Sequence, residues 1–320
     1  MTKVFITDYI NNPNIEKKIL GNNLSSKKNK LAEVLLVWHE NINKEYCSYF
    51  KNLKGVIRYG VGYDNIDLEY LNKNKIIFCN TPDYGIDEVS STALAGILNI
   101  SRGLTQYDQM LKYMDEVDFN IWQENIIKNI KRTNKINVGI IGAGRIGSSL
   151  LRKLQVIGYN CGFYDPYVAQ GYEKSLMVER YQHLDELLSN SDIISIHVPL
   201  NQSTKGMVDN NFIHKMKKGS SLINTSRGPV IKNNEILLDA LQSKQLDSIF
   251  LDVLPSEPPN LNDKLIKLWK QNKNVFNGRL IINPHTSYYS RDSFAEMRLK
   301  ASTNALRIIN KKTPLNIIQN

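Results

Sequence analysis

Three side chains in the C-terminal half have the types needed for proton and carboxylate chemistry, and each follows an apolar, strand-like run. Arg227 lies in Asn224-Thr-Ser-Arg-Gly-Pro229, Glu257 follows Leu251-Asp-Val-Leu-Pro-Ser256, and His285 follows Leu280-Ile-Ile-Asn-Pro284. Open α/β sheets build ligand crevices at the C-terminal ends of their strands, so these positions point to one shared cleft. Singly, each has a plainer reading. Arg227 could form a surface ion pair, Glu257 could be a loop carboxylate before two prolines, and His285 could cap a helix. Together they form a chemically complete set: an acid/base, a carboxylate to orient it, and a planar cation.

The chemistry is set by what precedes them. Val138-Gly-Ile-Ile-Gly142-Ala-Gly144-Arg-Ile-Gly147 places the G-x-G-x-x-G pattern directly after a strand and at the opening of a helix. Gly142 allows the tight turn, Gly144 lets the backbone approach a pyrophosphate, and Gly147 lets helix and strand pack closely. The pyrophosphate would sit on unpaired N–H groups at the positive end of the helix. A second strand, Cys161-Gly-Phe-Tyr164, ends in Asp165, 18 residues beyond Gly147. A carboxylate there accepts both adenosine ribose hydroxyls and repels a 2′-phosphate, so NAD is favoured over NADP. The plainer alternative is a turn aspartate before Pro166.

A dinucleotide beside Arg227, Glu257 and His285 implies hydride transfer between a 2-oxoacid and a 2-hydroxyacid. His285 would give a proton to the developing alkoxide and take it back in reverse. Glu257 would fix the imidazole tautomer, and Arg227 would hold the substrate carboxylate with a fork that lysine lacks. No metal is expected, because no H-E-x-x-H or paired-cysteine ligand set occurs. His197 reads as a strand-end residue beside the cofactor, and His39, His183 and His214 as surface or structural.

These residues need two sheets to position them. Val4 to Thr7, Val34 to Trp38, Val56 to Tyr59 and Ile76 to Asn80 read as strands of a first α/β unit. Helical spacing from Glu88 to Tyr107 predicts a long helix leaving it, and the polar stretch Asp108 to Lys135 reads as a linker or arm. A second series follows: Ile136 to Ile141, Cys161 to Tyr164, Ile193 to Val198, Ser221 to Asn224, Ile249 to Val253 and Leu280 to Asn283. Helices Arg145 to Ile157 and Asn233 to Gln242 separate these runs, which predicts a doubly wound parallel sheet. A last helix is predicted over Arg291 to Asn310.

Composition sets the bounds. The 320 residues suffice for two domains, and 42% hydrophobic with 22% charged residues describes a globular protein. The net charge of +10 raises a nucleic-acid reading, but the basic segments (Lys27 to Lys30, Lys128 to Lys135, His214 to Lys218, Lys264 to Lys273) are scattered and match no nucleic-acid module. A solvated surface that attracts anionic substrates is preferred. Three dispersed cysteines, no signal-peptide pattern and no membrane span point to the cytoplasm.

Over nearly its whole length the chain resembles the D-isomer-specific 2-hydroxyacid dehydrogenases, within them most the C-terminal-binding-protein-related branch. The shared motifs are Arg58-Tyr-Gly-Val-Gly-Tyr-Asp-Asn-Ile-Asp67, Asn80-Thr-Pro-Asp-Tyr-Gly85, the glycine pattern, Phe163-Tyr-Asp-Pro-Tyr167, His197-Val-Pro-Leu-Asn201, Asn224 to Pro229, Leu251-Asp-Val253 with Glu257, and Asn283-Pro-His-Thr-Ser-Tyr-Tyr-Ser290. The resemblance implies catalytic roles for Arg227, Glu257 and His285, and substrate-carboxylate contacts from the backbone of Val61 and Gly62. It implies cofactor contacts from Arg145, Ile146, Pro199, Thr225, Ser226 and, at the nicotinamide amide, Asp252. Tyr288 would be an aromatic wall of the substrate pocket. It implies two Rossmann-like or flavodoxin-like domains, with the cofactor domain (101–288) inserted into a discontinuous substrate domain (1–100 and 289–320). It further implies a homodimer held by an arm near 108–135. Ser90-Ser-Thr92 departs from the acidic residue plus His or Ser usual in relatives, in a segment expected to border the cleft. A second reading is an NAD(H)-sensing, corepressor-like interaction protein with little or no turnover.

Overall fold

In the computed structural model of the chain the described residues are 2–8, 10–25, 27–114, 122–127, 130–271 and 275–318. The chain divides into two compact units, Met1–Gly85 with Tyr289–Asn320, and Ile86–Tyr288. The first contains β1 (Val4–Ile6), α1 (Asn14–Leu20), β2 (Leu24–Ser25), β3 (Val34–Val37), α2 (Lys44–Ser48), β4 (Gly55–Arg58), α3 (Leu68–Lys73) and β5 (Ile77–Cys79). Among the described residues these strands form a parallel sheet of order β2-β1-β3-β4-β5, the flavodoxin-like arrangement. Central β3 is Val-Leu-Leu-Val and wholly buried, as a strand covered on both faces must be. Asn43 and Asp67 cap α2 and α3 by accepting the N–H of Tyr46 and Tyr70.

The second unit opens with α4 (Ile86–Arg102) and α5 (Leu104–Lys112). It continues through β6 (Asn137–Ile141), α6 (Arg145–Ile157), β7 (Asn160–Tyr164), α7 (Tyr172–Leu176), β8 (Glu179–Arg180), α8 (Leu184–Asn190) and β9 (Ile193–Ile196). Then come α9 (Asn210–Lys215), β10 (Ser220–Asn224), α10 (Asn234–Gln242), β11 (Leu246–Leu251), α11 (Lys264–Trp269) and β12 (Leu280–Ile282). Among the described residues the sheet is parallel, in the order β12-β11-β10-β9-β6-β7-β8. The order reverses between β6 and β9, the point at which open α/β sheets bind ligands beyond the C-terminal ends of their strands. One core cluster gathers Leu187, Phe212, Leu237 and Leu251; the other gathers Ile97, Ile140, Leu150 and Phe163.

The long helix predicted from Glu88 to Tyr107 is two helices. Gly103 adopts a left-handed φ of 63° that breaks the ladder, and α5 carries helix on through Lys112, into the stretch read as a linker or arm. Residues 115–121 and 128–129 of the expected arm, and 272–274 of the last basic segment, lie outside the described residues. The two-residue edge strands β2 and β8 were not foreseen; neither is long enough to show a period. Among the described residues no helix is long and apolar enough to cross a membrane.

The chain's last helix, α12 (Arg291–Ile309), returns to the first unit. Ser290 caps it with a reciprocal Ser290–Ser293 box. Its Arg298 holds the fully buried Glu16 of α1 in a fork, Nε to Oε1 at 2.8 Å and Nη2 to Oε2 at 2.5 Å. Tyr59 donates its hydroxyl to Glu16 Oε1 at 3.0 Å, so the carboxylate has three donors where water does not reach. Replacing Glu16 by Gln leaves the Arg298 cation buried without its counter-charge. We expect a loss of about 3–5 kcal/mol in unfolding free energy, read by urea denaturation, with Glu16→Asp retaining part of it.

Candidate active site

The glycine turn joins β6 to α6 at the point where strand order reverses. Gly142 has φ of 90°, and a Cβ there would lie 2.6 Å from the His197 carbonyl oxygen. A Cβ on Gly147 would collide with the Gly142 carbonyl, so helix and strand approach as closely as backbone allows. Gly144 differs: nothing surrounds its Cβ position, and as N-cap it offers no side chain to the first turn of α6. Nothing among the described residues demands glycine there, and the open space fits the close approach of a pyrophosphate to the backbone.

Asp165, at the end of β7, is buried and accepts the Ala143 N–H at 2.9 Å on Oδ2 and the Tyr167 N–H at 2.9 Å on Oδ1. It therefore sets the glycine turn. His197 follows β9; its Nε2 lies 2.8 Å from Ser195 Oγ, while its Nδ1 is enclosed without a hydrogen-bond partner. Burial pushes the imidazole down to about 3, so the ring is neutral near pH 7 and has no extra proton to give. Thr225, after β10, likewise has an enclosed Oγ1 without a partner among the described residues. Buried polar atoms left open at neighbouring strand ends fit a ligand that supplies their partners, as a dinucleotide does. Arg145 and Pro199 are exposed and Ile146 is half-buried.

His285 and Glu257 are brought together. His285 Nδ1 lies 2.7 Å from Glu257 Oε2, and the Leu254 N–H donates to Glu257 Oε1 at 2.9 Å. Burial alone would push the Glu257 carboxyl up. The hydrogen bond and charge of His285, the Leu254 N–H and the charge of Arg227 outweigh it and hold the group below the ordinary glutamate value. Arg227 stands at the head of a short 3-10 turn after β10; its carbonyl accepts from Asn224 Nδ2 at 3.0 Å, and its Nη1 donates to the Ser226 carbonyl at 2.8 Å. Ser226 in turn donates its hydroxyl and its N–H to Asn224 Oδ1. A Cβ on Gly228 would collide with the Leu254 carbonyl, so the Arg227 loop rests on the backbone that orients Glu257.

Asp252 shows a role that sequence reasoning missed. It is almost fully buried, and its carboxylate accepts the N–H groups of Thr286 at 2.9 Å and Ser287 at 3.0 Å. Its carbonyl accepts the His285 N–H at 2.8 Å. These bonds hold His285 at a left-handed φ of 54°, where a β-carbon residue rarely rests. Tyr288 packs edge-on to the His285 ring, centroids 6.3 Å apart. Ser90 is fully buried on α4, 3.1 Å from Ser149 Oγ; Lys153 of α6 donates to Ser90, Ser91 and the Asp87 carboxylate. Val61 and Gly62 lie in the first unit, in the loop after β4, where Asn80 Nδ2 donates to the Val61 carbonyl at 2.8 Å.

Residues 94–287 match the family "D-isomer specific 2-hydroxyacid dehydrogenase, NAD binding domain". A hydroxypyruvate reductase of Blautia hydrogenotrophica is 32% identical over 290 residues, 90% of this chain and 85% of that protein. C-terminal-binding protein 1 of Caenorhabditis elegans is 29% identical over 289 residues, 88% of this chain but only 38% of that longer protein. The crystal structure of Aquifex aeolicus D-lactate dehydrogenase with NAD and lactic acid superposes with a TM-score of 0.80 at 27% identity, covering 96% of this chain and 95% of the other. The chain belongs to the D-isomer-specific 2-hydroxyacid dehydrogenase family. Its cofactor is NAD.

Glu257 is held below its unfolded value. Its ionised form therefore adds stability that is fully present above the ordinary glutamate range and is lost as the pH falls through the folded value. The stability gap between the unaltered chain and Glu257→Gln should be widest near neutrality and close in acid. Denaturant midpoints measured from pH 7 downward check this; a gap that widens in acid contradicts it.

Proposed function

We propose that the chain is an NAD-dependent oxidoreductase that interconverts a 2-oxoacid and a D-2-hydroxyacid, with His285 as acid/base. The observation that carries this reading is the 2.7 Å contact between His285 Nδ1 and Glu257 Oε2, beside Arg227. Bound NADH supplies the hydride that reaches C2 of the oxoacid, and NAD accepts it in the reverse direction. Glu257 holds the proton on Nδ1, which leaves Nε2 to carry the proton that moves. In reduction His285 Nε2 gives that proton to the C2 oxygen; in oxidation it removes it. Arg227 holds the substrate carboxylate in its fork and draws charge onto the carbonyl oxygen.

The residues that would hold the dinucleotide are the glycine turn for the pyrophosphate, Asp165 for the adenosine ribose, and Thr225 and His197 along its course. Arg145, Ile146, Pro199 and Ser226 complete the set. Asp252 would act through the His285 loop that it caps. Two of the three named relatives are described as a hydroxypyruvate reductase and a D-lactate dehydrogenase, and a small carboxylate next to a carbonyl is the class we assign to this chain. A cytosolic homodimer is part of the proposal, and light scattering on the purified chain measures the oligomeric state.

NADH oxidation followed across small and large 2-oxoacids tests the activity. We expect turnover with at least one of them. His285→Ala should lower kcat by roughly 10²–10⁴-fold, and Arg227→Ala should lower kcat/KM by on the order of 10²-fold. In both variants NADH binding should stay near that of the unaltered chain. Silence across the panel despite tight NADH binding would overturn the catalytic reading in favour of a cofactor-sensing role, and parallel loss of binding and turnover would overturn the assigned residue roles.

A further inference from the structure

Arg180 ends the edge strand β8, with a side chain only 12% exposed. Its Nη2 donates to the main-chain carbonyls of Asp165 at 2.9 Å and Val168 at 3.1 Å, and its Nη1 to that of Ala169 at 3.2 Å. Nη1 also lies 3.8 Å from Glu173 Oε2, and the other oxygen of Glu173 accepts the Gly171 N–H at 3.2 Å. One guanidinium thus gathers three carbonyls from the loop 165–169, which has neither helix nor strand of its own. Carbonyl dipoles that converge repel one another. A cation at their meeting point turns that repulsion into attraction, and a planar fork can bond several of them where an ammonium is a single point.

This loop carries Asp165. The Asp165 carboxylate is pinned on one side by the Ala143 N–H of the glycine turn and on the other by the Tyr167 N–H; Arg180 pins its carbonyl. We propose that Arg180 is a positioning residue for the cofactor: by clamping the loop 165–169 to β8 it presents the Asp165 carboxylate to the adenosine ribose. The proposal rests on the reading of Asp165 as the ribose acceptor. With its donors on carbonyls and Glu173 alongside, the guanidinium is also not offered to a 2′-phosphate, which agrees with a preference for NAD.

The test uses the 320-residue chain and its Arg180→Gln and Arg180→Lys variants. NADH is titrated by its fluorescence, and the thermal midpoint is read with and without NADH. Arg180→Gln should raise the Kd for NADH about tenfold and shrink the stabilisation by NADH, with Arg180→Lys in between. The cofactor-free midpoint should move by no more than about 2 °C, and amides 167–169 should exchange hydrogen faster in Arg180→Gln. With an oxoacid that turns over, KM for NADH should rise while kcat and the oxoacid KM hold.

An unchanged Kd in Arg180→Gln overturns the clamp even if catalysis is established. A large fall in the cofactor-free midpoint, with kcat and both KM values altered together, would make Arg180 a plain fold residue. An unaltered chain that fails to bind NADH overturns the proposal together with the ribose reading. Absent turnover with intact NADH binding removes only the catalytic reading, because the titration still decides on Arg180.

Discussion

The candidate site depends on how closely two strand-end loops meet at the peptide groups of Leu254. The N–H of this residue fixes one oxygen of Glu257, whose other oxygen holds His285. Its carbonyl occupies the space that any side chain at position 228 would need. The loop bearing Arg227 is thereby packed against the loop that orients the imidazole. Two residues earlier, Asp252 fixes the turn that contains His285 through three further hydrogen bonds. The end of β11 is the common reference for side chains that arrive from three strands. A donor left unmatched here would cost about 1–3 kcal/mol, which is why such contacts hold geometry so firmly.

What a reader can take from the sequence follows from how local its cause is. The parallel strands announce themselves as short runs rich in Val, Ile and Leu because both of their faces are covered, and α6 begins and ends where glycines begin and end it. The glycine pattern is legible because each glycine answers a steric demand a few residues away. Arg227, Glu257 and His285 could be singled out because each follows a strand-like run downstream of the glycine pattern, where open α/β sheets place their ligands.

Other features depend on residues far apart in sequence. β2 and β8 are two residues long and owe their form to their neighbours in the sheet. Nothing near Gly103 says whether the helix runs on or restarts, since a lone glycine is tolerated within helices. Asp252 reads as one more strand-end carboxylate until Thr286 and Ser287 are seen against it. Ser90 and Ser91 look like an odd substitution until Lys153, more than a full element later, is found between them and Asp87. Arg180 gave no signal at all: its partners are main-chain carbonyls, which every sequence has.

The pairing of Glu16 with Arg298 spans 282 positions along the chain. During synthesis on the ribosome, α1 must therefore wait with a carboxylate destined for the interior while all of Ile86–Tyr288 is made, before the guanidinium that will neutralise it exists. The intervening unit has its own sheet and the two core clusters named above in hand by then, so it can consolidate first. The helix α1, made before that unit, is thus completed after it. A nascent chain halted short of α12 would expose an unmatched acid and an uncovered apolar sheet face, features by which cellular quality control tells unfinished molecules from finished ones.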